Sequence, residues 1–124
     1  MQTTFSKFFD VRPTLTDRIS HILDATDKIK TAVAVRTRES FANDILIRLA
    51  VERLLQVISE ASRFIPDDIK AKSPAINWRG LADLGNWLRH AYHRTDADLL
   101  WDMIRDDLPP LETFIRTIAE EQKP

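Results

Sequence analysis

The sequence predicts an all-α protein, an up-and-down bundle of four to five helices. Apolar residues recur at three- and four-residue spacing along most of the 124-residue chain, which is the pattern of amphipathic helices. No segment alternates apolar and polar residues as a half-buried strand does. Capping residues and prolines separate the apolar stretches at intervals that suit helices. Helices joined by short connections pack as antiparallel neighbours in such a bundle.

Composition excludes several classes of function. The hydrophobic fraction of 44% and the charged fraction of 30% are ordinary for a globular protein. We expect one helical domain over residues 14–124, preceded by an N-terminal extension over residues 1–13. Two glycines are too few for a glycine-rich phosphate loop or a dinucleotide fingerprint. The absence of cysteine excludes a disulfide, a thiol nucleophile and a cysteine-rich zinc site.

Charge and hydropathy narrow the choice of partners. No apolar run approaches the ~20 residues of a membrane span and the N-terminus lacks a signal pattern, so we expect a cytoplasmic protein without membrane contact. A net charge of -1, from 18 basic and 19 acidic residues, is unlike that of a strong duplex-DNA binder. Contact with nucleic acid therefore requires a local cluster. The best candidate is residues 79–94, where Asp83 opposes three arginines and two histidines: Arg79, Arg89, Arg94, His90 and His93.

The first helix is predicted over residues 15–35, with Thr14 or Thr16 as its cap. Its apolar stripe consists of Ile19, Ile22, Leu23, Ile29 and Val33. His21 is predicted to lie on the surface. Before this helix come three phenylalanines that fit either a docking arm or a short helix: Phe5, Phe8 and Phe9. Residues 36–39 indicate a break, although a helix could continue through them.

The second helix is predicted to begin near Ser40, to occupy the centre of the bundle and to end at Pro66. Its apolar residues fill more than one stripe: Ile45, Leu46, Leu49, Leu54, Val57, Ile58, Ala61 and Phe64. Glu60 lies among them. We expect this carboxylate to be buried beside an arginine and to have a structural role rather than a catalytic one.

Three further helices are predicted after a connector over residues 67–75, which has room for one helical turn. They cover residues 78–93, residues 97–107 with Asp96 as cap, and a last helix with the apolar face Leu111, Phe114, Ile115 and Ile118. Pro109 and Pro110 either kink the chain or restart a helix in its first turn. Three tryptophans are expected to anchor the core or an interface rather than to stack on bases: Trp78, Trp87 and Trp101.

The helix predicted over residues 78–93 carries a polar cluster. At about 100° per residue, its leucines fall on one side, and Asn86, His90 and His93 fall within roughly 60° of each other on the opposite side. Arg89 and Tyr92 lie on the flank between them. The helix is thus predicted to bury an apolar face and to present groups that donate, accept and titrate near neutral pH.

Four motifs, in their order and spacing, resemble a known family. Residues 57–62 (VISEAS) are similar to a signature IGEA, and residues 74–78 (PAINW) to P-x-I-x-W. Residues 85–92 (GNWLRHAY) are similar to RN-x-x-x-H-x-Y, and residues 100–111 to a closing W…dLPpL. These motifs belong to the HepT-like HEPN proteins (the DUF86 family), and the resemblance covers residues 15–114.

The resemblance implies a homodimer of all-α subunits in which the polar motif lines the cleft between the two copies. It implies a metal-independent ribonuclease that acts as a toxin on RNA and needs no cofactor. Its partner would be an MNT-type nucleotidyltransferase, which neutralises such toxins by binding and by adding AMP to the motif tyrosine. By position, Tyr92 matches that tyrosine, His90 the catalytic histidine and Asn86 the asparagine.

Metal-independent cleavage of RNA needs a base for the 2′-OH proton, an acid for the 5′-oxygen and positive charge at the phosphorane. Histidine suits the first two roles and a guanidinium suits the third. A two-fold axis near His90 would supply two imidazoles. Asn86 could fix the tautomer of His90 or hydrogen-bond the phosphate. His93, Arg79 and Arg94 are candidate auxiliary residues, and no set of residues has convincing spacing for a metal.

One departure from the family pattern concerns the arginine that opens the motif, because Gly85 occupies its position. Arg89 lies one turn further on, within roughly 40° of the same face, and could reach back toward the vacated place. Two alternatives stay open. The chain could be a catalytically degenerate binding module that binds a nucleotidyltransferase or a nucleotide without cleaving RNA. It could also be a plain helical interaction protein in which the cluster forms a polar dimer seam.

Overall fold

The computed structural model describes residues 3–4, 12–90 and 94–124, and the side chains of all of these except residues 94 and 95. Within these ranges the regular elements are α-helices, which confirms the predicted fold class. Of the helices whose two ends the structure describes, five are long and two are short. They are α1 (Leu15–Val33), α2 (Arg38–Asn43), α3 (Ile45–Ser62), α4 (Asp67–Lys70), α5 (Trp78–Leu88), α6 (Arg94–Asp106) and α7 (Leu108–Glu121).

Helix α1 begins at a capping box. The Thr14 side chain accepts a hydrogen bond from the Asp17 N–H, and the Asp17 carboxylate accepts one from the Thr14 N–H at 2.8 Å. Thr14 rather than Thr16 is therefore the cap, and the pair satisfies two N–H groups that the helix leaves free. The helix ends two residues before the predicted end. Its buried face contains Ile19, Ile22 and Ile29, with Leu23 and Val33 partly buried, as predicted, and His21 is exposed.

The second predicted helix is divided into two. Helix α2 begins at Arg38, behind a capping box between Thr37 and Ser40, rather than at Ser40 itself. Asp44 then adopts an extended conformation (φ -100°, ψ 93°), and its side chain accepts a hydrogen bond from the Ile47 N–H to cap α3. Since an extended residue cannot continue a helix, Asp44 separates the two elements. Helix α3 ends at Ser62, four residues before the predicted stop at Pro66.

Helix α3 lies at the centre of the bundle, as predicted, between α1 on one side and α5 on another. Helix α7 packs on α1, and α6 packs on α2 and α7. The buried apolar side chains of the five long helices and of α2 form one hydrophobic cluster. Its most completely buried large members include Phe41, Ile22, Ile29, Leu55, Ile58, Leu100 and Ile115.

Two predicted boundaries around α5 are wrong. The helix ends at Leu88 and does not continue to residue 93, because the Arg89 and His90 N–H groups bond back three residues, to Asn86 and Trp87. Such bonds tighten the last turn of a helix. Helix α6 begins at Arg94, three residues early, so Asp96 lies in its first turn rather than at its cap. Pro109 and Pro110 lie in the first turn of α7, so of the two predicted alternatives the chain starts a new helix here rather than kinking.

The three tryptophans are partly buried against the core, as predicted. Trp78 packs edge-on against Phe114, with ring centroids 5.7 Å apart, and Trp101 tilts against Phe41 at 5.5 Å. None of the helices in the described ranges is long and apolar enough to cross a membrane.

The prediction that Glu60 is a buried carboxylate is wrong, because Glu60 is exposed. The buried acid of α3 is instead Glu52, whose side chain is 11% exposed and lies 3.9 Å from the Arg48 guanidinium. Burial raises the pKa of the Glu52 carboxyl, Arg48 partly offsets this effect, and Asp96 raises the pKa further.

Candidate functional site

Three of the predicted site residues meet at the C-terminal end of α5. Asn86 lies in the last turn of the helix, Arg89 is its C-cap residue, and His90 follows directly. All three are exposed. The Arg89 Nη1 donates a hydrogen bond of 2.9 Å to the Asn86 Oδ1. The structure therefore places an amide, a guanidinium and an imidazole on one solvent-accessible tip of the bundle.

The helix end changes the predicted relation between Asn86 and His90. The two residues were expected to lie one helical turn apart on the same face, but the helix ends at Leu88, before His90. The described contact of the Asn86 oxygen is with Arg89, not with the imidazole. Asn86 thus orients the guanidinium, a role that periodicity alone did not indicate.

The remaining predicted residues are distributed differently. Tyr92 and His93 lie outside the described residues. Arg94 opens α6, and its side chain is also outside the described part. Arg79 stands in the first turn of α5, ten residues before Arg89 and so about 15 Å away along the helix axis. Its side chain is 94% exposed and lies 4.0 Å from Asp83, so Arg79 does not join the polar tip of the same chain.

Gly85, at the position that the resemblance assigns to the motif arginine, faces α3. Its N–H donates to the Ser59 Oγ at 3.2 Å, and that hydroxyl donates to the Ala82 carbonyl at 3.2 Å. A Cβ atom at position 85 would lie 3.3 Å from the Ser59 Oγ. The guanidinium of Arg89 reaches back one turn, as predicted, but it bonds to the Asn86 side chain and not at the position of Gly85.

The Arg48–Glu52 pair is buried on α3 and is separate from the three residues at the end of α5. Helices α3 and α5 run antiparallel, because Ser59 meets Ala82 and Gly85 while Glu52, earlier in α3, lies near Asp96 at the start of α6. The four-residue spacing of Arg48 and Glu52 on the buried stripe of α3 is the sequence signal that could have identified it.

Comparison with known proteins gives a consistent family assignment. A family model described as ribonuclease HepT-like matches residues 22–118. A Thermococcus cleftensis protein named "Probable ribonuclease HepT" is 35% identical over 96 residues, which are 77% of this chain and 87% of the relative. "Putative RNase MJ1380" of Methanocaldococcus jannaschii is 37% identical over 78 residues, 63% of this chain and 72% of the relative.

A third relative extends the match over almost the whole chain. "Putative RNase MJ0127" of Methanocaldococcus jannaschii is 30% identical over 118 residues, 92% of this chain and 94% of the relative. No solved structure matches the chain. The family model covers all of α3, α5 and α6 and part of α1 and α7, including Asn86, Arg89 and His90, and so confirms the resemblance based on the four motifs. The chain belongs to the HepT-like ribonuclease family.

Proposed function

We propose that the protein is a toxin that cleaves RNA without a metal ion, at a composite site built from Asn86, Arg89 and His90 of two subunits. The observation that carries this proposal is the Arg89–Asn86 hydrogen bond beside His90, on an exposed tip. A guanidinium held in place next to an imidazole is suited to a phosphodiester. The family assignment supplies RNA as the substrate, and we propose that the protein acts on it in the cytoplasm.

The proposed reaction needs two proton-transfer groups. The imidazole of one His90 takes the 2′-OH proton as the 2′-oxygen bonds to phosphorus, and the P–O5′ bond breaks as the other His90 protonates the leaving oxygen. Arg89 stabilises the charge on the phosphorane between these events. The products are a 2′,3′-cyclic phosphate and a 5′-hydroxyl, so atoms and charge balance without an added reactant.

The second imidazole requires a second copy of the chain, and α3 offers a surface for it. Three of its side chains are unusually exposed for apolar residues: Ile45 at 56%, Leu46 at 75% and Leu49 at 52%. They lie in the N-terminal half of α3, which is the half nearer the C-terminal end of α5 because the two helices are antiparallel. We propose that two copies pack through these residues, since burial removes apolar surface from water and brings the two polar tips together.

The proposed activity is tested by the cleavage of RNA in EDTA. Replacing His90 by alanine should lower the rate about 10²–10⁴-fold, because it removes both proton-transfer groups from the dimer. The matched control is His21→Ala, which removes an exposed histidine on α1. Equal rates for wild type and His90→Ala would contradict the proposal.

We further propose that an MNT-type nucleotidyltransferase neutralises the toxin by adding AMP to Tyr92. This tyrosine stands two residues after His90, so a nucleotide on its phenol would add bulk and negative charge beside the catalytic imidazole. Coexpression with such an enzyme should increase the intact mass by one AMP unit in the wild type and not in Tyr92→Phe. Modification of the phenylalanine variant would remove Tyr92 from this role.

The alternative function is a degenerate binding module that holds a nucleotidyltransferase or a nucleotide and cleaves nothing. One observation favours it: Gly85 is packed on Ser59, so the guanidinium of the family motif is missing from that position. In this alternative Arg89 has no catalytic role, and neither the wild type nor Arg89→Ala should cleave RNA. A loss as large as that of His90→Ala would instead favour the active enzyme.

A further inference from the structure

Helices α5 and α6 enclose an open groove that the proposed catalytic site does not use. Its volume is about 400 Å³, and its floor is apolar, formed by Leu84, Trp87, Leu99 and Met103. Leu99 is 53% exposed, which is high for a leucine. Four carboxylates stand around this floor: Asp83, Asp102, Asp106 and Asp107. The groove thus combines an apolar base with an acidic rim.

The groove continues into a second cavity of about 350 Å³. The two cavities share Gly80, Leu84, Met103, Asp106 and Asp107, and the second extends to Asn77 and Pro110. From Trp87 to Asn77 the groove follows α5 for ten residues, about 15 Å at the rise of an α-helix. That length fits two to three turns of a helical segment, or about five residues of an extended one.

The rim keeps an excess of negative charge after its ion pairs are counted. Arg38 forms an ion pair with Asp102. Arg79 and Asp83 form a loose pair, because their charged atoms are 4.0 Å apart and both of these side chains are largely exposed. Asp106 and Asp107 make no ion pair with any residue that the structure describes. The Asp107 side chain makes no capping hydrogen bond at the start of α7.

Helix dipoles act on these two aspartates in opposite senses, because Asp107 is the N-cap residue of α7, where the dipole is positive and favours its charge. Asp106 stands at the C-terminal end of α6, where the helix dipole is also negative. Arg105 in the same turn does not line the groove. The described acidic residues contain no group of three that could hold a metal ion, so a metal cation is not the ligand that this rim fits.

We propose that this groove binds a basic amphipathic segment of a partner protein, with apolar side chains on the floor and arginines or lysines at the aspartates. The choice follows from charge: a phosphate backbone would meet four carboxylates, whereas a cationic segment meets complementary charge and about 15 Å of apolar surface. The groove ends at Trp87, next to Asn86. A segment bound there lies at the edge of the polar tip without occupying it.

The test uses two synthetic peptides and the full chain. In the first peptide arginines flank a pair of leucines, and in the second glutamates replace the arginines. Calorimetric titration should show binding of the first peptide, weakening as salt is added, and no binding of the second. Equal binding of both peptides, or displacement of the first by a single-stranded RNA oligonucleotide, would overturn the proposal.

Matched variants locate the binding site. Asp106→Asn/Asp107→Asn should weaken peptide binding about tenfold, because two charges of the rim are lost while size is kept. The control variant Asp67→Asn/Asp68→Asn removes two adjacent, exposed carboxylates on α4 and should leave peptide binding unchanged. Thermal unfolding of each variant checks that it is folded. Similar affinity in the two double variants would contradict the assignment.

Two further outcomes separate this inference from its alternatives. His90→Ala should bind the peptide as the wild type does, so the groove can be tested even if the protein cleaves no RNA. Leu99→Ala should weaken peptide binding and leave the oligomeric state unchanged. If Leu99→Ala instead dissociates a complex of this chain with itself, the groove belongs to a second copy and the proposal is wrong.

Discussion

Ser59 and Gly85 set the distance between the central helix and the helix that carries the site. The Ser59 hydroxyl bridges two backbone groups of α5, and a Cβ at position 85 would meet it at 3.3 Å. This contact is closer than packed side chains usually allow. The glycine therefore has a packing role in addition to any effect on chemistry, and an arginine at this position needs space that Ser59 now occupies.

That contact makes a double variant the informative test of the motif arginine. Gly85→Arg alone should unfold at a lower temperature, since its Cβ crowds Ser59. Ser59→Ala/Gly85→Arg should recover part of the loss, because removing the hydroxyl clears the nearest atom. Cleavage of RNA by the folded double variant is then compared with that by Ser59→Ala. A gain of tenfold or more favours the degenerate binding module, and no gain indicates that Arg89 already supplies the guanidinium.

Single residues also show where sequence reasoning was limited. The exposed positions of Asn86, Arg89 and His90 agree with the prediction, since polar groups on an amphipathic helix face outward. Glu60 was predicted to be buried and Glu52 was overlooked. Helix α3 has apolar residues on more than one side, so its periodicity does not identify which carboxylate faces the core. Only the packing against α1 and α5 decides this.

At the scale of elements, Asp44 is the residue that makes two helices out of one. It accepts a hydrogen bond from the Ile47 N–H at 3.2 Å and pairs with Arg36 at 3.1 Å. The hydrogen bonds from the Ile47 backbone and from Arg36 hold the pKa of the Asp44 carboxyl below its ordinary value of 3.8. The ionised form is thus the one that stabilises the start of α3.

This cap predicts a pH-dependent effect on stability. Because the folded-state pKa is lowered, the stabilisation is present above pH 3.8 and is lost as the pH falls through the folded-state pKa. Asp44→Ala should lower the melting temperature at pH 7 by a few degrees, and the difference from wild type should vanish in strong acid. Asp44→Asn keeps a capping oxygen but loses the charge that pairs with Arg36, so it should recover only part of the stability that Asp44→Ala loses at pH 7. A difference that persists unchanged in acid would contradict this account.

Helix boundaries mark the limit of prediction at this scale. The start of α1 was predicted correctly because Thr14 and Asp17 form a recognisable capping box. The end of α5 was placed five residues too late, since neither glycine nor proline follows Leu88 and the apolar spacing continues to Ala91. The division at Asp44 was not predicted for a similar reason, because neither glycine nor proline marks it in the sequence. An aspartate within an apolar stretch is compatible with a continuous helix until tertiary contacts select the extended conformation.

At the scale of the whole molecule, the proposed dimer makes the most direct prediction. Leu46→Asp should convert the dimer to a monomer and abolish RNA cleavage, because a buried carboxylate without a partner opposes association. Sedimentation measures the mass, and helical circular dichroism shows that the subunit remains folded.

Phe64→Asp is the matched control for this variant. Phe64 is 54% exposed and lies two residues beyond the end of α3, whose last residue is about 24 Å from Leu46 by helical rise. The Phe64→Asp variant should stay dimeric and active. A monomer that cleaves RNA at the wild-type rate would show that one copy of the site suffices, and dissociation by Phe64→Asp would move the interface elsewhere.

The acidic groove has a kinetic consequence for the molecule as a whole. Carboxylates from α5, α6 and the start of α7 line the groove, while Arg89 and His90 stand beyond the end of α5, so a nearly neutral chain carries a separation of charge between its flank and its polar tip. A polyanion that diffuses toward the flank is turned away, and one that approaches the tip is attracted. Productive encounters are therefore confined to one direction of approach, which restricts how a long strand can thread past the molecule.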